Sequence, residues 1–298
     1  MGWMSTKTVR KAVIAAAGFG TRFLPQTKAM PKEMLPLVDK PIIQYIVEEL
    51  VGAGIEDIVI VTGYHKRSIE DHFDHMSADL RANLKQNGKN ELLEETKKIS
   101  GLANFAYIRQ KGPQGNGTPL LNAEHLIGDE PFIYTWSDDF IVSTPVRFKQ
   151  MIDIYQAHNC SIVGTVLADS NEDYDRYGYV SGQKLSKGLI AADKIVEKPG
   201  KAQAPSSQAT NGGFLLTPDV FRYLRKAQTE MSDGDELVTN NALMKMLEDG
   251  GKIIAAEIQN AKYYDAGNKL EYLKTVVDFA LMRDDIHDEF LDYLRTVV

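Results

Sequence analysis

Cysteine is almost absent from the 298-residue sequence, which contains only Cys160. A single thiol cannot form an internal disulfide, which excludes a disulfide-stabilised scaffold and predicts a reducing, cytoplasmic setting. No apolar run approaches the roughly 20 residues that span a bilayer, so we expect no membrane partner. A secretory leader is not expected either, because the first apolar stretch, residues 12–17, already begins the predicted folded body.

Positive charge is in short supply. The 34 Lys and Arg residues are outnumbered by 41 Asp and Glu residues, which gives a formal net charge of −7. Binding to nucleic acid needs a basic surface that displaces counterions from phosphates, so we expect no nucleic-acid partner. A small anionic ligand held by a local group of cations remains compatible with this composition.

The residues of nucleophilic and metal-dependent hydrolases are also sparse. No Gly-x-Ser-x-Gly sequence occurs, and Cys160 lies in an apolar stretch typical of the core. His72 and His75 have helical spacing, but no cysteine or third histidine accompanies them, so an exposed helix face is the better interpretation. At the N-terminus, Met1-Gly2 followed by Thr6 fits the myristoylation pattern, but so short a pattern often arises by chance, and we expect no lipid there.

Apolar runs of strand length alternate with amphipathic stretches of helix length. Runs at 11–17, 57–63, 105–109 and 132–136 predict buried strands of a parallel sheet with helices on both faces. Further strands are predicted at 161–167, 178–182, 189–196, 213–217 and 252–258, with few helices between them. We therefore expect one α/β domain over 1–298, Rossmann-like, with a mixed, mostly parallel sheet and a β-rich extension. One helix is predicted over about 78–99, and two helices, at 269–282 and 286–296, are predicted to end the domain.

A glycine loop follows the first predicted strand. Gly18-Phe-Gly-Thr-Arg22 is followed by Lys28 and Lys32 on a stretch interrupted by prolines. Glycines let the backbone approach a phosphate chain at the carboxyl end of a parallel strand, and three cations suit a polyphosphate. The alternative is a plain turn out of the strand. A Rossmann dehydrogenase and a Walker A loop are disfavoured, because the third glycine position is Phe23 and no Gly-Lys-Ser/Thr follows.

Carboxylates follow the strand at 132–136. Asp138 and Asp139 come directly after it, and Asp265 follows a Tyr-Tyr pair much later in the chain. Carboxylates at the carboxyl end of a strand can hold Mg²⁺ by one or two oxygens. The alternatives are an Asx turn leaving the strand and, for Asp265, the start of the next helix.

Polar residues beside glycines occur three more times. Glu197-Lys198-Pro-Gly200 could place a carboxylate for sugar hydroxyls beside an ammonium for a phosphate, or could be a solvated turn. Tyr177-Gly178 and Asn211-Gly-Gly213 could bring backbone amides close to a ligand, or could be hairpin turns or bulges.

Taken together, these residues resemble the sugar-1-phosphate nucleotidylyltransferases, and within them the bacterial enzymes that use UTP and glucose 1-phosphate. The most specific part is Gly-Phe-Gly-Thr-Arg-x-x-Pro-x-x-Lys-x-x-Pro-Lys-Glu-Met-Leu-Pro over 18–36, and the resemblance extends from about 11 to about 277. It implies the nucleotide-diphospho-sugar transferase fold. A nucleotide-binding half would cover about 8–145, a sugar-phosphate-binding half about 146–266, and C-terminal helices 267–298.

The resemblance also implies a role for each matching residue. The nucleotide would be bound by Ala16, Ala17, Gly18, Gly20, Thr21, Arg22, Lys32, Gln110 and Gly115. The sugar phosphate would be bound by Asp139, Gly178, Glu197, Lys198, Asn211 and Gly213, and magnesium by Asp138 and Asp265. Arg22, Lys32 and Lys198 would be the catalytic cations. The implied products are UDP-glucose and pyrophosphate, and the implied assembly is a homodimer or homotetramer.

The chain departs from the family pattern beside the base and the metal. It reads Gly115-Asn-Gly-Thr-Pro119 after Gln114, where uridylyltransferases typically read Gly-Leu-Gly-His-Ala, and Trp136-Ser precedes the aspartates in place of Leu-Gly or Leu-Pro. Base preference therefore stays open, and a thymidylyltransferase or another sugar nucleotidylyltransferase is an alternative. A catalytically silent homologue that binds nucleotide sugars is a second one, although it would not need both magnesium carboxylates.

Overall fold

The computed structural model describes residues 7–168 and 170–297, so the Met1-Gly2 pattern lies outside the described residues. The strands are β1 (Lys11–Ala16), β2 (Pro36–Leu37), β3 (Lys40–Pro41), β4 (Asp57–Thr62), β5 (Asn104–Arg109), β6 (Phe132–Trp136), β7 (Asp139–Ser143), β8 (Ser161–Leu167), β9 (Gly178–Ser186), β10 (Leu189–Glu197), β11 (Gln208–Ala209), β12 (Phe214–Leu216), β13 (Ile253–Glu257) and β14 (Ala261–Asp265). The helices are α1 (Ile42–Gly52), α2 (Arg67–Phe73), α3 (Ala78–Gln86), α4 (Asn90–Ser100), α5 (Thr118–Ile127), α6 (Arg147–His158), α7 (Val220–Glu230), α8 (Thr239–Glu248), α9 (Lys269–Leu281) and α10 (His287–Val297).

The first predicted strands form the parallel part of the sheet. β5, β4, β1 and β6 lie side by side in that order, all parallel, with Lys11 of β1 opposite Asp57 of β4 and Phe132 of β6. β1 is buried over most of its length because it is central and covered on both faces. Ile14 packs into a core with α1, α6 and α9, whereas Val13 points the other way into a core with α5, α7 and α8. The prediction of helices on both faces is confirmed.

The same sheet continues through the second half of the chain. In the described part of the chain, ten strands run in the order β11-β9-β10-β13-β8-β12-β6-β1-β4-β5, and β11 also pairs with β8. β9 and β10 form an antiparallel hairpin, and β12 runs antiparallel between β8 and β6. The expected mixed sheet with a β-rich extension is therefore present. The points at which the halves divide stay predictions.

Two expectations about helices were wrong. We expected few helices after 161, but α7 and α8 lie there, because Val220, Phe221 and Leu224 have helical spacing and fill the core under β6. We expected one helix over 78–99, but α3 and α4 are separated at Gly88, which adopts φ +66°. This left-handed conformation suits glycine and ends α3.

β7 and β14 form a separate two-stranded sheet that the sequence analysis did not predict. They pair antiparallel, with Asp265 opposite Asp139. This pairing carries the end of β14 to the carboxyl end of β6, where Asp138 lies. It therefore brings together carboxylates that are far apart in the sequence.

Cys160 is buried as a free thiol, as the apolar stretch around it predicted. Within residues 7–168 and 170–297, no helix combines the length and the apolar character that crossing a membrane requires.

Candidate active site

Most of the predicted site residues surround one cavity of about 480 Å³, which lies at the carboxyl ends of β1 and β6. It is lined by Gly20, Thr21, Arg22, Lys32, Asp138, Asp139, Gly178, Glu197, Lys198, Asn211 and Asp265. A second cavity of about 350 Å³ on the other side of the glycine loop is lined by Ala17, Gly18 and Gln110. Of the predicted residues, Ala16, Gly115 and Gly213 line neither cavity.

The glycine loop lies directly against Lys32. Gly20 adopts φ +66° just before a short 3-10 turn at Thr21–Phe23, and its carbonyl accepts a hydrogen bond from Thr27 Oγ1 at 2.7 Å. A Cβ on Gly20 would lie 3.2 Å from Lys32 Cβ. Glycine is therefore required here by both conformation and space, and the loop backbone and the Lys32 ammonium face the same volume.

Lys32 donates a hydrogen bond to Asp138 Oδ2. Burial by itself lowers the pKa of Lys32, but the charge and hydrogen bond of Asp138, with the charges of Glu33 and Asp139, together outweigh it, so the net shift is upward. Lys32 is therefore a permanent cation beside the glycine loop, as binding of a polyphosphate requires.

Arg176 forms an ion pair with Asp265 Oδ2, and the sequence analysis missed it. The other oxygen, Oδ1, accepts a hydrogen bond from Gly267 N at 2.8 Å. Arg176 directly precedes Tyr177-Gly178, so the position of a cation beside a predicted sugar-site glycine was the available signal. Each of the two predicted magnesium ligands thus forms an ion pair with a side chain of the protein: Asp138 with Lys32, and Asp265 with Arg176.

Asp138 and Asp265 converge on one point. The position that a Cβ on Gly267 would take lies 2.9 Å from Asp138 Oδ2, 3.1 Å from Asp265 Oδ1 and 3.3 Å from Arg22 Nη1. Two carboxylates with substrate phosphates and water are the usual ligands of Mg²⁺. No group of three or more His, Cys, Asp and Glu suited to a metal occurs among residues 7–168 and 170–297. The two convergent carboxylates fit a divalent cation that also binds a phosphate substrate.

Asp139 lies behind this pair and lines the same cavity. Burial and the neighbouring charge of Asp138 raise the pKa of Asp139 to about 7, against the opposing effect of Lys32. Because its backbone pairs with that of Asp265, the strand pairing of β7 and β14 fixes its distance from the metal carboxylates.

Four further residues of the predicted sugar site also line the larger cavity: Gly178, Glu197, Lys198 and Asn211. Lys198 adopts φ +45°, and its Nζ lies 3.9 Å from Glu197 Oε1. Glu197 Oε2 accepts a hydrogen bond from Asn240 Nδ2 at 2.7 Å, a partner that the sequence analysis did not identify. Gly213 does not line the cavity, and its carbonyl oxygen accepts a hydrogen bond from Gly164 N at 2.8 Å. An ammonium and an oriented carboxylate therefore line the same cavity as Asp138 and Asp265.

Two side chains among the departures from the family pattern form hydrogen bonds with the backbone. Asn116 Oδ1 accepts a hydrogen bond from Thr239 N at 2.8 Å, and Thr118 Oγ1 donates one to Pro113 O at 2.8 Å. Gln114, in contrast, lines the smaller cavity together with Gln110. Asn116 and Trp136 line the larger cavity, so Gln114 is not the only departure beside a candidate substrate cavity.

Gly115 is constrained by the backbone of Leu237. A Cβ at this position would approach Leu237 O and N well inside 3.0 Å, and Gly115 adopts φ +115°. Gln114 O accepts a hydrogen bond from Leu237 N, and Leu237 O accepts one from Gly117 N, both at 2.8 Å. The loop is therefore attached to the segment that precedes α8.

Known proteins match this chain over most of its length. The family model of the nucleotidyl transferases matches residues 11–280. A UTP–glucose-1-phosphate uridylyltransferase of Bacillus subtilis is 44% identical over 97% of both chains. A second one from the same organism, YngB, is 44% identical over 98% of this chain and 96% of its own.

Solved structures also match most of the length of this chain. A UDP-glucose pyrophosphorylase in complex with UDP-glucose is 38% identical and has a TM-score of 0.80, over 93% of this chain and 100% of its own. The UTP-bound enzyme from Acinetobacter baumannii is 32% identical and has a TM-score of 0.86, over 96% of this chain and 99% of its own. Family, fold and site geometry agree, and the chain belongs to the nucleotidyl transferase family.

Proposed function

We propose that the protein transfers the uridylyl group of UTP to glucose 1-phosphate and forms UDP-glucose and pyrophosphate. The observation that carries this proposal is the convergence of Asp138 and Asp265 near Gly267, with Arg22 and Lys32 on one side. Lys198 and Glu197 line the same cavity. The relatives named as UTP–glucose-1-phosphate uridylyltransferases support the choice of substrates.

The reaction needs no general base from the protein. A phosphate oxygen of glucose 1-phosphate, already ionised near neutral pH, attacks the α-phosphorus of UTP and forms a new P–O bond. The bond from that phosphorus to the bridging β-phosphate oxygen breaks, and the electron pair leaves with pyrophosphate. Catalysis then depends on alignment and charge neutralisation.

The residues of the larger cavity fit these tasks. Lys198 would hold the attacking phosphate, Glu197 would accept hydrogen bonds from hexose hydroxyls, and Arg22 and Lys32 would stabilise the charge that develops on pyrophosphate. Asp138 and Asp265 would hold Mg²⁺. The ion would reduce the repulsion between the two phosphate groups.

The test is pyrophosphate release over a panel of UTP, dTTP, CTP and ATP against the 1-phosphates of glucose, galactose, mannose and N-acetylglucosamine. We expect UTP with glucose 1-phosphate to give the highest kcat/KM. Faster turnover with dTTP would make the protein a thymidylyltransferase, with Gln114 as the first residue to examine. Binding of UDP-glucose without any pyrophosphate release would instead show a silent homologue.

A variant separates the two substrate sites. Lys198→Ala is expected to raise KM for glucose 1-phosphate and to leave KM for UTP nearly unchanged, because Lys198 lies beside Glu197 and not beside the glycine loop. An effect confined to UTP would show that the two sites are assigned the wrong way round. Lys201→Ala, an exposed lysine in the following turn, is the matched control.

A further inference from the structure

Asn240 is a buried residue of the larger cavity wall, and no step of the proposed mechanism uses it. It lies in the first turn of α8 and is 4% exposed. Its Nδ2 donates hydrogen bonds to Glu197 Oε2 at 2.7 Å and to Thr210 Oγ1 at 3.1 Å. Because a carboxylate only accepts hydrogen bonds, the amide nitrogen must face Glu197, which fixes the orientation of the side chain.

The surroundings leave Asn240 no room to move. A Cβ on Gly178 would approach Asn240 Nδ2 well inside 3.0 Å and would lie 2.7 Å from Thr210 Oγ1. Thr210 is itself 3% exposed, and its N–H donates to Gly178 O at 2.8 Å. The glycine predicted for the sugar site thus provides the space that Asn240 occupies.

The start of α8 is anchored independently of Glu197. Thr239 N donates to Asn116 Oδ1 at 2.8 Å, and Thr239 Oγ1 donates to Asn116 O at 3.2 Å. Tyr134, fully buried in β6, donates its hydroxyl proton to the same Asn116 carbonyl. The position of Asn240 is therefore set by the central sheet and the loop after Gln114, not by the flexible Glu197 side chain.

The two carboxylate oxygens of Glu197 have different surroundings. Oε2 is held by the buried amide, whereas Oε1 lies 3.9 Å from Lys198 Nζ in the cavity wall. A glutamate side chain can adopt several rotamers. When one oxygen is held by a fixed donor, the side chain keeps one rotamer, and the other oxygen occupies one defined position. A hydrogen-bond acceptor in a fixed place discriminates between substrates that have and lack a hydroxyl there.

We propose that Asn240 is a positioning residue for hexose recognition, which holds Glu197 so that Oε1 accepts a hydrogen bond from one hydroxyl of the hexose 1-phosphate. The inference rests on the proposed function, since it assumes that a hexose 1-phosphate binds beside Glu197. It assigns the choice of hexose to a pair of residues, Asn240 and Glu197, rather than to Glu197 alone.

The experiment tests whether Asn240 and one hydroxyl of the hexose contribute to the same interaction. Asn240→Asp keeps the size of the side chain but replaces the donor by a second carboxylate facing Glu197. The kcat/KM is measured for glucose 1-phosphate and for its 2-, 3-, 4- and 6-deoxy analogues, in the wild type and in the variant. Asn241→Asp, an exposed neighbour on the same helix, introduces the same charge and is the matched control.

In the wild type, we expect one deoxy analogue to lose about tenfold to a hundredfold in kcat/KM, the size expected for a hydrogen bond to a charged acceptor. In Asn240→Asp, glucose 1-phosphate should lose a similar factor, mainly through KM, and the deoxy analogue should lose little more. KM for UTP should stay within about twofold, which shows that the variant is folded. Asn240→Ser, which keeps a donor, should recover part of the discrimination.

A deoxy penalty of the same size in Asn240→Asp and in the wild type would overturn the inference. An equal rise of KM for UTP would also overturn it and show a purely structural role. Failure of the proposed function gives a different result, because the wild type itself would then release no pyrophosphate with glucose 1-phosphate. If another hexose 1-phosphate is the substrate, the deoxy analogues of that hexose are used in the same cycle.

Discussion

Lys66 donates hydrogen bonds to both carboxylate oxygens of Glu33, at 2.7 Å to Oε1 and 2.6 Å to Oε2, and Glu33 is fully buried. Burial raises the pKa of Glu33 and lowers that of Lys66, so each charge depends on its partner. Glu33 directly follows Lys32, and Glu33 Oε1 also lies 3.3 Å from Ser137 Oγ, next to Asp138. The pair therefore connects the segment that carries Lys32 to the end of β6 and to the loop after β4.

Breaking this ion pair should destabilise the protein. Lys66→Met leaves a buried carboxylate without its cation and is expected to cost about 3–5 kcal/mol of the free energy of unfolding. The double variant Glu33→Gln/Lys66→Met should recover most of that loss, because neither charge remains. Urea unfolding of the single and double variants measures both, and Lys97→Met, which breaks an exposed pair with Glu94, should stay within about 1 kcal/mol.

The metal carboxylates should be needed for turnover but not for folding. Asp138→Asn and Asp265→Asn are each expected to lower kcat by about a hundredfold or more and to leave the urea midpoint close to that of the wild type. Excess EDTA should abolish turnover of the wild type, and added Mg²⁺ should restore it. Full activity in EDTA, or in either variant, would contradict the assignment. Asp233→Asn, in an exposed loop, is the control.

Arg176 should compete with the metal for Asp265. Arg176→Gln removes this internal cation, so Mn²⁺ added without substrate should bind several-fold more tightly, as measured by electron paramagnetic resonance of free Mn²⁺. An unchanged or weaker Kd would show that Arg176 does not occupy the metal position. Arg67→Gln, an exposed arginine paired only within α2, should leave the Kd for Mn²⁺ unchanged.

Gly115 should resist substitution because of Leu237. Gly115→Ala places a methyl group against the Leu237 backbone and is expected to cost more than about 2 kcal/mol of the free energy of unfolding. Gly234→Ala is the matched control, since Gly234 also has positive φ (+93°) but no atom within 4 Å of a Cβ, so only about 1 kcal/mol of backbone strain is expected. Equal losses in urea unfolding would show that the contact with Leu237 does not matter.

The parallel sheet and the position of Asp138 at the end of a strand could be predicted because their signals are local. Apolar runs mark β1, β4 and β6, and Asp138 follows a strand directly. The pairing of β7 with β14 could not be predicted, since it depends on register between segments that are far apart in the chain. Asn240 was missed for the same reason, because only its tertiary partner, Glu197, distinguishes it from an ordinary polar residue. Arg176 did have a local signal, its position directly before Tyr177-Gly178, but its partner Asp265 is distant in the sequence.

Other predictions await measurement. The cytoplasmic setting and the homodimer or homotetramer rest on the sequence alone. The same holds for the exact role of each predicted site residue, although the structure brings eleven of them to one cavity. Gly213 and Ala16, the last residue of β1, are not among the residues that line this cavity.

The antiparallel pairing of β7 with β14 has a consequence for synthesis of the chain on the ribosome. The glycine loop, Lys32 and Asp138 are all translated more than a hundred residues before Asp265. At about 5–20 residues per second, β7 then presents unpaired backbone groups along one edge for several seconds or longer. A nascent chain shorter than residue 261 therefore lacks Asp265 and carries an exposed strand edge, which a chaperone bound to β7 would cover.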